Sequence, residues 1–211
     1  MAVITSIKQQ KNKNRVNVYL DEEFGFGIDL DNFVILNLKI GQELSQDEVD
    51  KVIKTSEFQK TLDKLFRFAM VRFRSQKEYE DYLKRKKVSE VIWKDLLSKL
   101  KDLDFIDDER FAKEWVYSRN NFRPKPKRIL EQELSIKGID RNIIKKVIDE
   151  TVIDENIIAL NLLKSRESYW ERIEKVKREQ KMIEYLVRKG FSFEVAKNAI
   201  KVYNKAWRWQ S

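Results

Sequence analysis

The sequence predicts a mainly α-helical protein. Three tandem three-helix repeats form an elongated, curved body, preceded by a small N-terminal β-hairpin or three-stranded region. Three observations lead there. The 211 residues are 37% charged yet contain only 5 Gly and 2 Pro, a composition that favours helices and leaves few breakers. The first thirty residues alternate apolar and polar with period two. Beyond residue 58 the chain repeats its own pattern at an interval of 51 to 52 residues, the mark of a modular array.

The N-terminal strands come first. Val16, Val18 and Leu20 share one face along Arg15–Leu20. After Asp21-Glu22-Glu23 the alternation resumes with Phe24, Phe26 and Ile28, separated by Gly25 and Gly27. This predicts a β-hairpin. Ile4–Gln10 is the expected third strand, joined through Lys11-Asn12-Lys13-Asn14. Gly25-Phe26-Gly27 lacks the third glycine and the following helix of a nucleotide-binding fingerprint. The glycines are expected to relieve crowding on the outer face of a strand.

The repeat emerges when the chain is laid on itself. Leu83-Lys84-Arg85-Lys86-Lys87-Val88-Ser89 aligns with Leu134-Ser135-Ile136-Lys137-Gly138-Ile139-Asp140 and with Leu186-Val187-Arg188-Lys189-Gly190-Phe191-Ser192. Downstream, Ile92, Trp93, Leu96 and Leu97 match Ile143, Ile144, Val147 and Ile148, then Val195, Ala196, Ala199 and Ile200. That spacing is one apolar face of a helix. Ser89, Asp140 and Ser192 stand at the helix N-cap. Gly138 and Gly190 stand where the preceding helix ends in a left-handed residue. Lys87 occupies that place in the first copy, at a cost of about 1 kcal/mol if the backbone is kept. A further helix precedes each pair: roughly Phe58–Phe73 in the first unit, from Asp107 in the second, from near Asp154 in the third. Ser75-Gln76-Lys77-Glu78 reads as a capping box. The resulting division is 1–57 for the β-rich region with a linking helix, then 58–105, 106–152 and 153–211 for the repeats. Units this small bury little core alone, so neighbours are expected to stack.

Composition also excludes chemistries. With no Cys and no His there is no disulfide framework, zinc knuckle, thiol nucleophile or Ser-His-Asp triad. No stretch approaches the ~18 apolar residues of a membrane span. The start Met1-Ala2-Val3-Ile4-Thr5-Ser6-Ile7 lacks the basic and long apolar parts of a signal peptide. A cytoplasmic protein is expected. The net charge is 44 − 35 = +9. Residues 1–57 hold 7 basic and 10 acidic side chains, a net of −3, and residues 58–211 hold 37 and 25, a net of +12. The excess on the helical part points to a polyanion or an acidic partner.

Particular residues sharpen the reading. The second unit opens Phe105-Ile106-Asp107-Asp108-Glu109-Arg110-Phe111-Ala112 and closes Glu133-Leu134-Ser135-Ile136-Lys137-Gly138-Ile139. The first holds Arg72-Phe73-Arg74-Ser75, Glu78 and Leu83, and the third Tyr185 to Ser192. With the strand-rich start, the chain resembles the RecX family of bacterial recombination regulators over nearly its whole length. The D-D-x-R-F-A and E-L-x-x-K-G-I stretches carry most of the specificity. The resemblance implies a non-enzymatic regulator without cofactor or metal. Its members bind the RecA recombinase filament and inhibit its ATPase and strand exchange, in DNA recombination, repair and the SOS response. Some also contact single- or double-stranded DNA directly. The modular architecture suggests a monomer. Arg123-Pro124-Lys125-Pro126-Lys127-Arg128 departs from the family pattern, which usually has Gly after the basic residues.

Three basic segments are the candidate partner or nucleic-acid sites. Arg119, Phe122, Arg123, Lys125, Lys127 and Arg128 place five positive charges and an aromatic in ten residues without an acid, suited to gripping phosphates while a ring stacks. Lys84, Arg85, Lys86 and Lys87 form a run at a helix end, where cations also suit the dipole. Lys175, Lys177 and Arg178 come third, offset by Glu174 and Glu179. Asp107-Asp108-Glu109 reads as an N-cap with an acidic first turn rather than a metal or partner site. Trp115 reads as core. Trp207 and Trp209, flanking Arg208, either pack back on the third unit or form a partner surface. The rival function is general DNA binding without a recombinase partner. A carboxylate nuclease is disfavoured because no acids stand apart from helix caps, and no Walker motif is present.

Overall fold

Asp21 and Glu22 both take positive φ, 47° and 69°, and this two-residue turn folds β2 (Arg15–Leu20) onto β3 (Glu23–Asp29). Left-handed geometry at both central residues matches the twist of the paired strands. β1 (Ala2–Gln9) pairs antiparallel with β2, and the short β4 (Glu43–Leu44) completes the order β3-β2-β1-β4. The computed structural model describes residues 1–207, with only the backbone of Ala206 and Trp207. The expectation on Trp207 and Trp209 concerns side chains outside the described residues.

Val16, Val18, Phe26 and Ile28 enter a core with Ile4, Leu38, Leu44, Val49 and Val52. Phe24 does not join them. Val18 pairs with Phe26 and Tyr19 with Phe24, so Gly25 is an extra, bulged residue. The bulge turns Phe24 to the outer face, where it is 61% exposed and meets Tyr19 edge-on. Gly27 opposes Asn17 on that same face, and a Cβ there would stand 2.6 Å from Nε2 of Gln10. A side chain at this point would displace the Gln10 amide, which donates to Asn17 Oδ1 at 2.6 Å.

α1 (Leu30–Ile35) leads to β4 and then α2 (Gln46–Ala69). This helix begins well before Phe58. Ser45 accepts from Glu48 N at 3.3 Å and its own N–H donates to Glu48 Oε2 at 2.8 Å, a reciprocal cap that starts the helix early. It runs unbroken through residues 57 and 58. α3 (Gln76–Arg85), a 3₁₀ turn at Glu90–Ile92 and α4 (Trp93–Asp102) follow. Residues 1–73 and 79–105 form one compact unit.

The other unit comprises residues 74–78 and 106 onward. It holds α5 (Asp108–Phe122), α6 (Lys127–Ile136), α7 (Arg141–Glu150), α8 (Glu155–Lys164), α9 (Glu167–Glu171), α10 (Lys175–Arg188) and α11 (Phe193–Trp207). Its core includes Phe111, Val116, Leu130, Leu134, Val147, Leu163, Met182, Leu186 and Ala199. The third repeat carries one helix more than expected. The chain breaks at Ser165-Arg166, and α9 buries Trp170, whose Nε1 donates to the Leu163 carbonyl at 3.0 Å.

The repeat is visible in the backbone. Val88, Ile139 and Phe191 each donate to the carbonyl five residues back, on Leu83, Leu134 and Leu186, at 3.1, 3.1 and 3.2 Å. All three leucines are fully buried. Between them Lys87, Gly138 and Gly190 take φ of 53°, 78° and 97°. This is the same helix-ending motif three times. Lys87 therefore adopts the left-handed conformation that the other copies give to glycine. The N-caps are less uniform. Asp140 accepts from Asn142 N and Ser192 from Val195 N. Ser89 makes no side-chain cap, because the next helix enters through the 3₁₀ turn, and its N–H donates to Glu57 instead.

Candidate functional site

The basic segment 119–128 joins α5 to α6, and its geometry is set by one acid. Glu133, on α6, accepts from Arg119 Nε at 2.8 Å, from Trp115 Nε1 at 2.9 Å and from Lys125 Nζ. The Glu133 side chain is only 18% exposed. Burial alone raises its pKa, but the hydrogen bonds from Lys125, Arg119 and Trp115 outweigh that and hold it below the usual glutamate range. It is therefore ionised at neutral pH.

Trp115 is half-buried and stacks on Phe111. The Arg119 guanidinium lies 4.4 Å and Lys137 Nζ 5.1 Å from the Trp115 ring centre, cation–π geometry in both cases. Lys137 also donates to Glu78 Oε1 at 2.7 Å, and its carbonyl accepts from Ser75 Oγ at 2.7 Å. Gly138 is pressed against Lys77, whose Cβ would lie 2.7 Å from an added methyl. The E-L-x-x-K-G-I stretch is thus a scaffold that ties α5, α6 and the first turn of α3 together.

This sorts the candidate residues. Arg119 and Lys125 point at Glu133 rather than outward. Lys127 is half-buried at the start of α6, and its backbone N–H donates to Glu155 Oε1 at 2.7 Å. Pro126, at the N-cap, is buried against the Gly190 turn. Arg123 and Arg128 are exposed and make no ion pair with the described residues. Phe122 is 80% exposed. The outward part of the segment is Phe122, Arg123 and Arg128.

Lys84, Arg85, Lys86 and Lys87 are all exposed at the end of α3. Arg85 and Lys86 lie 5.7 and 5.9 Å from the ring centre of Tyr82, which stacks on Phe68. Of the third group, Lys175 is exposed, Lys177 pairs with Glu174 at 2.8 Å, and Arg178 caps the end of the preceding turn through the Ile173 carbonyl at 3.1 Å. Sequence reasoning passed over Glu133 and Lys137 as functional supports. It also passed over Lys197, Lys201 and Lys205 on α11, although their four-residue spacing was a usable signal.

The acidic cluster is structural. Asp107 accepts from Arg110 N at 2.9 Å, capping α5, and Asp108 accepts from Gln76 N at 2.8 Å, capping α3. Glu109 meets Lys113 at 2.7 Å and Lys146 at 2.8 Å, which lowers its pKa to about 2. Among the described residues no three acids are placed to hold a metal ion. Nor is any helix of the described residues long and apolar enough to cross a membrane.

Residues 2–45 match the family described as regulatory protein RecX N-terminal domain, and residues 107–148 match the RecX second three-helix domain. A regulatory protein RecX of Listeria welshimeri is 36% identical over 200 residues, covering 93% of this chain and 74% of the relative. One from Bacillus licheniformis is 32% identical, covering 95% and 77%. A crystal structure of regulatory protein RecX superposes with a TM-score of 0.71 at 25% identity, over 93% of this chain and 98% of that one. RecX from Lactobacillus salivarius shares the fold with a TM-score of 0.63 at 23% identity, over 71% of this chain and 98% of that one. With two matching domain descriptions and relatives above 30% identity along almost all of its length, the chain belongs to the RecX family of regulatory proteins.

Proposed function

We propose that this protein is a cytoplasmic, monomeric, non-enzymatic regulator. It binds the RecA recombinase nucleoprotein filament, inhibits ATP hydrolysis and strand exchange, and touches DNA directly through its basic surface. The reading rests on family membership together with one structural observation. The family's signature residues Glu133 and Lys137 are spent on holding helices together, which leaves Phe122, Arg123 and Arg128 on one unit, and the run from Lys84 to Lys87 on the other, exposed to a partner. Several weak contacts spread over tandem modules, at the divisions near 57, 105 and 152, act together as one strong one. The test is the DNA-dependent ATPase of the cognate recombinase, titrated with this protein. Hydrolysis is expected to fall as the protein is added. Unchanged hydrolysis at several-fold molar excess counts against the reading.

The second reading is a general DNA-binding protein with no recombinase partner. The net charge of +9 and the exposed lysines favour it. It requires steep salt dependence on naked DNA and no effect on the recombinase beyond competition for DNA.

A further inference from the structure

α10 and α11 form an antiparallel hairpin around the Gly190 turn, and a furrow of about 730 Å³ opens against the second half of α11. Lys197, Lys201 and Lys205 line it with Asn198, Asn204, Ile200 and Glu179. The three lysines are exposed, and none makes an ion pair with the described residues. Among the described lining residues the one acid is Glu179. Four residues of α-helix rise about 6 Å, so the lysines form an evenly stepped row about 12 Å long.

We propose that this furrow binds the phosphodiester backbone of nucleic acid, without sequence preference, through Lys197, Lys201 and Lys205. The inference deepens the direct DNA contact proposed above and rests on it. Three features select a nucleic-acid backbone over an acidic peptide. The charges repeat at a constant step of about 6 Å, close to the spacing of successive phosphates along an extended strand. Among the described lining residues six of seven are charged or amide side chains, and the apolar one, Ile200, is 1% exposed. Asn198 and Asn204 add amide donors of the kind that position phosphates without reading bases. At the start of the row Lys197 Nζ lies 4.9 Å from the ring centre of Phe193, which is 56% exposed.

The test uses the full chain, a fluorescent oligo-dT and a duplex of mixed sequence, with binding measured by anisotropy from low to moderate salt. Each lysine lost should reduce the log–log salt slope by about 0.9 on duplex and about 0.7 on single strand. The triple variant Lys197→Gln, Lys201→Gln, Lys205→Gln should therefore be shallower by roughly two to three. The single variant Lys201→Gln should show about a third of that change, which guards against a folding defect in the triple variant. Wild-type slopes retained in both variants overturn the furrow while leaving direct DNA contact intact. Absence of wild-type binding overturns both. A polyglutamate that competes as well as the oligonucleotide also overturns the proposal, since it assigns the furrow to an acidic protein.

Discussion

Glu133 receives the indole N–H of Trp115 at 2.9 Å while holding Arg119 and Lys125. One carboxylate thus fixes the α5 aromatic and two of the five cations that make the segment conspicuous in the sequence. Glu133→Gln removes the charge and turns an amide N–H₂ toward one of the cations. Leaving such partners half-satisfied costs about 1–3 kcal/mol. In a chain of this size that lowers the melting temperature by roughly 2–4 °C per kcal/mol. Calorimetry of the variant checks it. An unchanged midpoint means the hub is a surface ornament.

Lys87, Gly138 and Gly190 give a second prediction. Lys87 holds φ of 53° without the freedom of glycine, so Lys87→Gly is expected to stabilise by up to about 1 kcal/mol. Gly138→Ala is expected to destabilise by more than that, since it meets both the φ penalty and Lys77 Cβ at 2.7 Å. Urea denaturation should order the proteins as K87G, wild type, G138A. The reverse order removes the equivalence of the three turns.

These turns were legible because their causes are local. A glycine or its stand-in after a buried leucine, then a capping residue, states a helix end without reference to the rest of the fold. The strands were legible by alternation for the same reason. The bulge at Gly25 was not, because it depends on which residue of β2 faces which residue of β3. Nor was the inward turn of Arg119 and Lys125, because Glu133 reaches them only once α6 folds back beside α5. The start of α2 was written in Ser45 and Glu48, but its apolar stripe there is thin, and Phe58 marked the pattern more strongly. The α11 lysines were countable. Their joint furrow needed the α10–α11 hairpin.

Glu109 gives a pH prediction. Hydrogen bonds from Lys113 and Lys146 lower its pKa from 4.5 to about 2. A lowered carboxylate pKa means that its contribution is complete above the unfolded value near 4.5 and is lost as pH falls through the folded value near 2. The tie from α5 to α7 through Lys146 should therefore hold down to strongly acidic pH. A carboxyl-carbon NMR titration of Glu109 should show its midpoint near 2. A midpoint near 4.5 would mean the two lysines do not hold it in solution.

Arg123 and Arg128 carry the prediction that separates scaffold from surface. Both are exposed and lack an ion pair with the described residues, whereas Arg119 and Lys125, in the same segment, are bound to Glu133. Charge alone makes the four equivalent, and the fold does not. Arg123→Glu with Arg128→Glu should leave the melting temperature within about 4 °C, since both side chains are exposed, Arg123 caps α5 through its backbone N–H alone, and an acid at 128 suits the first turn of α6. Arg119→Ala should lower it, because the half-buried Glu133 carboxylate loses a donor and Trp115 loses a cation from its face. If the surface pair grips a polyanionic or acidic partner, the double reversal should weaken recombinase inhibition about tenfold or more at unchanged stability. Loss of naked-DNA binding with inhibition retained would place the pair on DNA and leave recombinase contact to other residues. Loss of inhibition with DNA binding retained would place it on the protein partner. Full retention of both would remove residues 119–128 from the binding surface and leave that stretch as a connector whose charges serve Glu133.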